Sequence, residues 1–186
     1  MKKLLLIALL IVGCDNSTEP QAEDYAGECD GDAVEDCIMG VCTEIPQNVD
    51  LWSECYNIQE TTSIIIIVSW YNGDIPVEIG YLTNLRTLIL NNNQLTGEIP
   101  LEIGNLTNLT DFRIYNNQLT GEIPSEIGNL TNLTLLYLNN NKLTSLPESI
   151  CNIFPNLATF DVSNNKICGE LPSCLTAEEI GEQDCP

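Results

Sequence analysis

The second half of the chain repeats itself every 24 residues, and this period limits the folds that are open to it. Each unit follows the pattern Leu-x-x-Leu-x-Leu-x-x-Asn-x-Leu, in which Phe, Ile or Val replaces some leucines. Its asparagine stands at Asn93, Asn117, Asn141 and Asn165. A weaker unit precedes them, because Gly73-Asp-Ile-Pro76 lies 24 residues before Gly97-Glu-Ile-Pro100. One such unit cannot bury its own apolar side, so the period predicts a solenoid of about five stacked coils.

The Leu-x-Leu segment of each unit predicts a short strand whose two apolar side chains point inward, because successive side chains of a strand alternate between its faces. Strands of successive units then pair in parallel, about 4.8 Å apart. The asparagine stands where the chain leaves the strand. We expect its amide to satisfy buried backbone groups of its own unit and of the neighbouring one.

The unit resembles the leucine-rich repeat. Its second half, Leu-Thr-Gly-Glu-Ile-Pro followed by Glu-Ile-Gly-Asn-Leu, resembles the plant-type subclass, over roughly residues 51–176. The resemblance implies a horseshoe segment with short parallel strands on the concave face, loops and 3-10 turns on the convex face, and disulfide-stapled caps. The fourth unit departs from the pattern, since Leu143-Thr-Ser-Leu-Pro147 lacks the glycine and is one residue shorter.

Nine cysteines are an odd number, and Cys14 stands apart near the amino terminus. The other eight form one group before the repeats (Cys29, Cys37, Cys42 and Cys55) and one at the end (Cys151, Cys168, Cys174 and Cys185). An exported chain meets an oxidising compartment, which favours two disulfides in each group and leaves three pairings open in each. A zinc site is the alternative, although no Cys-x-x-Cys spacing occurs.

The resemblance bears on these cysteines as well. Trp52 and Cys55 resemble the amino-terminal cap of plant-type repeats, and Cys168-Gly-Glu-Leu-Pro-Ser-Cys174 resembles the closing cap with its cysteines one residue closer. The closing cap implies a Cys168–Cys174 pair, and the shorter spacing makes Cys151–Cys174 its rival.

The amino terminus predicts an export signal. Two lysines precede an apolar run from Leu4 to Val12, which is shorter than the about 20 residues that a membrane-spanning helix needs. Ile11-Val12-Gly13-Cys14 resembles a bacterial lipobox, which implies cleavage before Cys14 and diacylation of it. The alternative is an ordinary secretory peptide. We expect an exported protein of the cell envelope or cell surface, lipid-anchored through Cys14, or otherwise a secreted one.

Five regions follow along the chain: a signal peptide at 1–13, an acidic flexible tether at 14–28, a cysteine-rich acidic module with the amino-terminal cap at 29–60, leucine-rich repeats at 61–172 and a carboxy-terminal cap at 173–186. In the module, Asp30, Asp32 and Asp36 suggest a weak calcium site, because calcium takes several oxygen ligands. A solvated acidic loop is the alternative, and we expect no other cofactor.

The negative charge of the chain limits the classes of partner that it can bind. It has 27 acidic and 6 basic residues, a formal charge of −21, and no histidine. Nucleic acid and anionic lipid are disfavoured, because a polyanion is bound by clustered basic residues. We expect a monomer that meets a membrane only through its lipid anchor and that binds a protein or a glycan.

In leucine-rich repeats the variable strand positions face the concave side, and the register assigns them to three rows. The rows are Ser63, Thr87, Asp111, Leu135 and Thr159; Ile65, Ile89, Arg113, Tyr137 and Asp161; and Ile67, Asn91, Tyr115, Asn139 and Ser163. An arginine among exposed aromatic residues is typical of a binding hot spot. We predict that Arg113, Tyr115 and Tyr137 contact the ligand, with Ile89, Asp111 and Asp161 beside them. The alternative is that these residues merely suit a β-sheet.

The first unit carries an apolar run, Ile64 to Val68, in which Ile65 and Ile67 face outward. Three explanations are open for this outward-facing apolar pair. The one we favour is that the cysteine-rich module covers it; the others are an apolar extension of the binding face and an aggregation-prone sheet edge.

No catalytic motif is present: the chain lacks Gly-x-Ser-x-Gly, a phosphate-binding Gly-x-x-x-x-Gly-Lys loop and a Cys/His pair. The sequence therefore predicts a non-catalytic, surface-anchored binding module. The alternatives are a structural or adhesive envelope protein with calcium-assisted contacts, and metal sequestration by the acidic module.

Overall fold

The computed structural model describes the backbone of residues 34–38 and 41–45, and residues 48–67 and 70–185 in full. The strands in these ranges are β1 Val34–Ile38, β2 Val41–Ile45, β3 Asn48–Leu51, β4 Glu54–Asn57, β5 Ser63–Ile65, β6 Asn72–Gly73, β7 Thr87–Ile89, β8 Gln94–Leu95, β9 Asp111–Arg113, β10 Thr120–Glu122, β11 Leu135–Tyr137, β12 Lys142–Ser145 and β13 Thr159–Asp161. The 3-10 turns are Val77–Tyr81, Leu101–Asn105, Ser125–Asn129, Glu148–Asn152 and Phe154–Asn156, and a short helix, α1, spans Ala177–Ile180.

The predicted solenoid and its register are confirmed. Strands β5, β7, β9, β11 and β13 form one parallel sheet in chain order, so that each unit pairs with the next. Partners lie 24 residues apart: Ile64 pairs with Leu88, and Leu88 pairs with Phe112. The inward side chains of these strands form the core, and Leu88, Phe112 and Leu136 are fully buried.

The asparagine of each unit joins that unit to the preceding one. The Asn117 Nδ2 donates to the carbonyl oxygens of Leu90 at 2.9 Å and Ile114 at 3.0 Å, and its Oδ1 accepts from the Leu95 N–H at 3.1 Å. Asn141 and Asn165 make the corresponding three bonds one and two units further on. We call this row the asparagine ladder; it satisfies the buried backbone groups that the sequence assigned to it.

The convex side is a row of 3-10 turns that begin after a proline and stack closely. A Cβ added at Gly104 would lie 2.4 Å from the Glu126 Cβ and 2.8 Å from the Glu126 backbone oxygen. The turns of neighbouring units therefore approach as closely as they do because the glycine has no side chain. The short fourth unit regains its length here, through the extra turn Phe154–Asn156.

Two disulfides close the carboxy-terminal end, as predicted in number. They join Cys151 to Cys174 and Cys168 to Cys185. The Cys168–Cys174 pairing implied by the plant-type cap is therefore wrong, and its rival is correct. Cys151 lies on the 3-10 turn Glu148–Asn152, so its disulfide attaches the cap to the convex side of the fourth unit.

The cap also extends the asparagine ladder, with a glutamine. The Gln183 Nε2 donates to the carbonyl oxygens of Val162 at 3.1 Å and Ile180 at 2.9 Å, and its Oε1 accepts from the Ile167 N–H at 3.2 Å. These are the bonds that the asparagine of a sixth unit would make. Gln183 therefore satisfies the polar groups that the last unit would otherwise leave without a neighbour.

At the other end, the hairpin of β3 and β4 covers the first unit. Val49 and Leu51 on β3 are buried, and Leu51 is among the fully buried side chains of the core. Cys55 on β4 is exposed. Strands β1 and β2 form a second hairpin in which Cys37 lies opposite Cys42.

Several predicted features lie outside the described residues. These are the signal peptide at 1–13, the lipidated Cys14, the tether at 14–28, Cys29, Asp30 and Asp32. The side chains of Asp36, Cys37 and Cys42 lie outside them too. Within the described ranges, the structure holds no helix of the length and apolarity that crossing a bilayer requires.

Replacing Asn117 with Ala should lower the free energy of unfolding by about 1–3 kcal/mol, because three buried backbone groups lose their partner. Chemical denaturation measures this change. Gln118→Ala is the control, since its side chain is exposed on the next residue. Equal stabilities of the two variants would contradict the role given to the ladder.

Replacing Gln183 with Glu should also destabilise the fold, by about 1–3 kcal/mol, because a carboxylate accepts from Ile167 but cannot donate to Val162 or Ile180. Thermal unfolding at neutral pH measures the loss. Glu182→Gln, which changes the charge of an exposed neighbour in the opposite direction, controls for electrostatics. A Gln183→Glu protein as stable as the parent would show that the cap does not need the hydrogen bonds donated by Gln183.

Candidate binding face

The concave sheet brings together the residues that the sequence singled out near its centre. Arg113 and Asp111 lie on the same side of β9, because residues two apart on a strand share a face. The Arg113 Nε and Nη2 donate to the two carboxylate oxygens of Asp111, each at 2.7 Å. This two-point contact fixes the plane of the guanidinium.

Two tyrosines complete the cluster, which we call the Arg113 cluster. The Arg113 Cζ lies 5.4 Å from the centre of the Tyr137 ring, within the range of a cation–π contact. Tyr115 and Tyr137 meet edge to face, with ring centres 6.2 Å apart and planes at 60°. The four side chains come from three neighbouring rows, and each is only half-buried, so a partner can reach them.

The electrostatics of the cluster favour a permanently charged arginine. Hydrogen bonding to Asp111 raises the pKa of Arg113 further above its usual value, and burial opposes this in part. The Arg113 side chain keeps 34% of its surface exposed and the Asp111 side chain 16%, so the arginine is the more accessible member of the pair. Surface pairs of this kind add little stability. Their effect here is to hold the guanidinium in place.

The remaining predicted residues divide into two kinds. Ile89 is half-buried beside the cluster on β7, and it remains available to a partner. The Asp161 Oδ1 accepts from the Ser163 N–H at 3.0 Å and from its hydroxyl at 2.7 Å, so part of this carboxylate is already engaged. Asn91 was assigned to the third row, but it is only 3% exposed and is withdrawn from the face.

The amino-terminal end of the sheet carries two exposed isoleucines. Ile65 and Ile67 are each 46% exposed. Most of the cysteine-rich module lies outside the described residues, so the expectation that it covers them stays a prediction. Ile64 and Ile66 turn inward to the core, as a strand requires. The pair lies at the amino-terminal end of the concave face, where the second of the three explanations, an apolar extension of that face, places it.

One exposed feature was missed from the sequence. Trp70 is 79% exposed, and it lines a shallow depression together with Trp52, Ser53, Tyr71 and Asn72. Its repeat position supplied a signal, because the same position holds Gln94, Gln118, Lys142 and Lys166 in the later units. Because the other residues at this repeat position are polar and exposed, the tryptophan is expected at the surface and not in the core.

Among residues 48–67 and 70–185, no three acidic or cysteine side chains converge in a way that would hold a metal ion. The calcium site predicted at Asp30, Asp32 and Asp36 falls outside the side chains that the structure describes, so it stays a prediction. The calcium-assisted adhesive role stays one with it.

Family models match the repeats in both halves of the solenoid. One described as "Leucine Rich repeats (2 copies)" matches residues 83–127, and one described as "Leucine Rich Repeat" matches residues 132–153 and 156–177. The chain is a leucine-rich repeat protein. No curated protein sequence matches it.

Solved structures similar to this leucine-rich repeat protein include ectodomains of plant receptors. The ectodomain of the receptor kinase SOBIR1 from Arabidopsis thaliana is 26% identical with a TM-score of 0.60, and the match covers 72% of this chain and 74% of that one. The ectodomain of the Arabidopsis receptor kinase HAESA, in complex with an amino-terminally extended IDA peptide hormone, is 32% identical with a TM-score of 0.58 and covers 67% of this chain.

A third similar structure is the plant peptide hormone receptor RGFR1 in complex with RGF2, which is 41% identical with a TM-score of 0.54 over 56% of this chain. The leucine-rich repeat protein spans only 17% of RGFR1 and 20% of the HAESA structure. It is therefore similar to a segment of these receptors.

Proposed function

We propose that this leucine-rich repeat protein is a non-catalytic recognition module that binds a protein partner through its concave face. The Arg113 cluster is the centre of the contact, and the exposed Ile65 and Ile67 extend it. The observation that carries this proposal is the fixed guanidinium of Arg113, held by Asp111 and set against the Tyr137 ring on a rigid sheet.

The composition and order of the cluster support this role. Arginine and tyrosine are, with tryptophan, the side chains most enriched among the residues that contribute most binding energy in protein interfaces. Immobilising a flexible side chain on binding costs about 0.5–1.5 kcal/mol, and the two hydrogen bonds from Arg113 to Asp111 meet part of that cost in the free protein. The guanidinium also keeps N–H donors that Asp111 does not use, and these can face a partner.

The local charge indicates what the partner presents. Arg113 and Asp111 neutralise each other, so the cluster attracts no free ion strongly. Aromatic rings and isoleucines around the pair favour a partner with apolar side chains and one or more hydrogen-bond acceptors for the arginine. A peptide segment meets both requirements, since each of its residues carries a carbonyl oxygen.

The comparisons support a peptide or protein ligand in general terms. RGFR1 and HAESA are each described in complex with a peptide hormone. A glycan remains the second ligand class, because tyrosine rings and acidic groups also suit sugars. Surface attachment through a lipid on Cys14 is part of the proposal, and mass spectrometry of the exported protein tests it: the diacylated residue should be the first of the mature chain.

Arg113→Ala and Tyr137→Ala should abolish partner capture while leaving the melting temperature nearly unchanged, because both side chains are half-exposed and lie outside the core. The measurement is pull-down by the mature chain from the producing cells and their medium, followed by mass spectrometry. Tyr81→Ala is the matched control, since Tyr81 is an aromatic residue 57% exposed on a convex 3-10 turn.

Capture that is kept by the Tyr81 variant and lost by both concave variants supports the proposal. Capture that survives both concave substitutions would remove the Arg113 cluster as the site. Digesting the captured material with a protease or with glycosidases before the pull-down distinguishes a protein ligand from a glycan.

A further inference from the structure

A second surface with its own chemistry lies at the amino-terminal corner of the solenoid. Three aromatic side chains, Trp52, Trp70 and Tyr71, line one open depression together with Ser53 and Asn72. The Trp52 and Tyr71 rings meet edge to face at 6.2 Å with planes at 71°, so the two rings present differently oriented walls. We call this group the aromatic corner.

The backbone holds Trp52 in this position. Trp52 and Ser53 form the tight turn between β3 and β4, with φ values of 54° and 64°. Positive φ is unfavourable for a side chain as large as tryptophan and persists only where the surroundings impose it. Here the Trp52 Nε1–H also donates to the Asp74 carbonyl oxygen at 3.2 Å, which ties the hairpin to the first repeat.

The charged residues that lie near the corner along the chain are acidic. Residues 4–85 contain 15 acidic residues and no lysine or arginine, and all the basic residues that follow lie in the later repeats. Glu54 and Asp74 lie within four residues of the lining side chains. Nearby, burial first and then the Glu54 carboxylate raise the pKa of Tyr56 to about 12.

We propose that the aromatic corner binds a lysine or arginine side chain presented by a basic segment of a protein partner. The face of an aromatic ring attracts a cation, and indole does so most strongly. The surrounding acidic residues raise the local concentration of cations and speed their arrival. The corner therefore offers both the contact and the attraction that a cationic side chain needs.

The openness of the depression favours a side chain over a free small cation. Pockets for small molecules bury most of their ligand, whereas Trp70, Ser53 and Asn72 are all exposed here. A single cation–π contact at an exposed site is weak. It becomes useful when the rest of a partner contributes further contacts, and a protein segment supplies these.

Two tryptophans in the whole chain make the test direct, because each gives one indole N–H signal in a heteronuclear NMR spectrum. The mature chain is titrated with a glycine-spaced peptide that carries two lysines, with the same peptide acetylated on both lysines, and with its arginine counterpart. The acetylated peptide keeps the size and apolar stem of the side chain and lacks its charge.

The lysine and arginine peptides should shift both indole signals, and the acetylated peptide should not. Trp70→Ala should weaken binding of the lysine peptide about fivefold, as followed on the Trp52 signal. Since Trp70 is 79% exposed, the variant should fold normally. Tyr81→Ala, an exposed aromatic residue that does not line the depression, should bind like the parent, and neither substitution changes the net charge.

Equal binding of the acetylated peptide would show an apolar patch with no preference for cations and would overturn the proposal. A Trp70→Ala protein that binds as tightly as Tyr81→Ala would show attraction to the acidic surface alone, and would overturn it too. The Arg113 cluster takes no part in this test, so the result leaves the concave-face proposal to its own experiment.

Discussion

The structure depends on one interaction that recurs in four of its five units, the hydrogen bonds of the ladder asparagine to backbone groups inside the turns. A solenoid of short strands leaves backbone carbonyl and N–H groups inside its turns, and each of these costs free energy if it is buried without a partner. Asn117 satisfies three of them, of which two belong to the preceding unit. The same side chain therefore stabilises the turn and fixes the distance and register between units.

The two proposed surfaces follow from this register. Because successive units keep the same register, residues at one repeat position line up as a row across the sheet. An unusual residue at one position in a row therefore gives the surface a distinct chemistry at that place. Arg113 stands in a row that otherwise holds isoleucines, a tyrosine and an aspartate, and Trp70 stands in a row of glutamines and lysines. The charge of Arg113 is balanced by Asp111. Trp70 lies in a part of the sequence whose charged residues are all acidic. The two surfaces consequently suit different parts of a partner.

Much of the fold was predictable because it is periodic. The spacing of Asn93 and Asn117 gives the strand register, and the stronger units locate the weak first one through its Gly-Asp-Ile-Pro segment. The members of the Arg113 cluster were predictable for the same reason, since strand position decides which way a side chain points. The contact of Arg113 with Asp111, as opposed to one with a neighbouring strand, required the structure.

Features that do not follow the 24-residue period were harder to predict. The ladder ends on Gln183, 18 residues after Asn165 instead of 24, and the longer side chain of glutamine reaches the same groups from a different backbone position. The pairing of Cys168 with Cys185 depends on that cap, so its spacing gave no signal. Burial of Asn91 and exposure of Trp70 are likewise properties of single units, and a pattern shared by all units does not show them.

The central claim is that the ladder couples the units into one cooperative body that holds the binding face rigid. Native-state hydrogen exchange of the amides bonded to ladder side chains, those of Leu95, Leu119, Leu143 and Ile167, tests it most directly. All four amides should exchange only through global unfolding, with a common free energy equal to that from denaturation. Exchange of each amide at its own, much lower free energy would show units that open independently, and would contradict it.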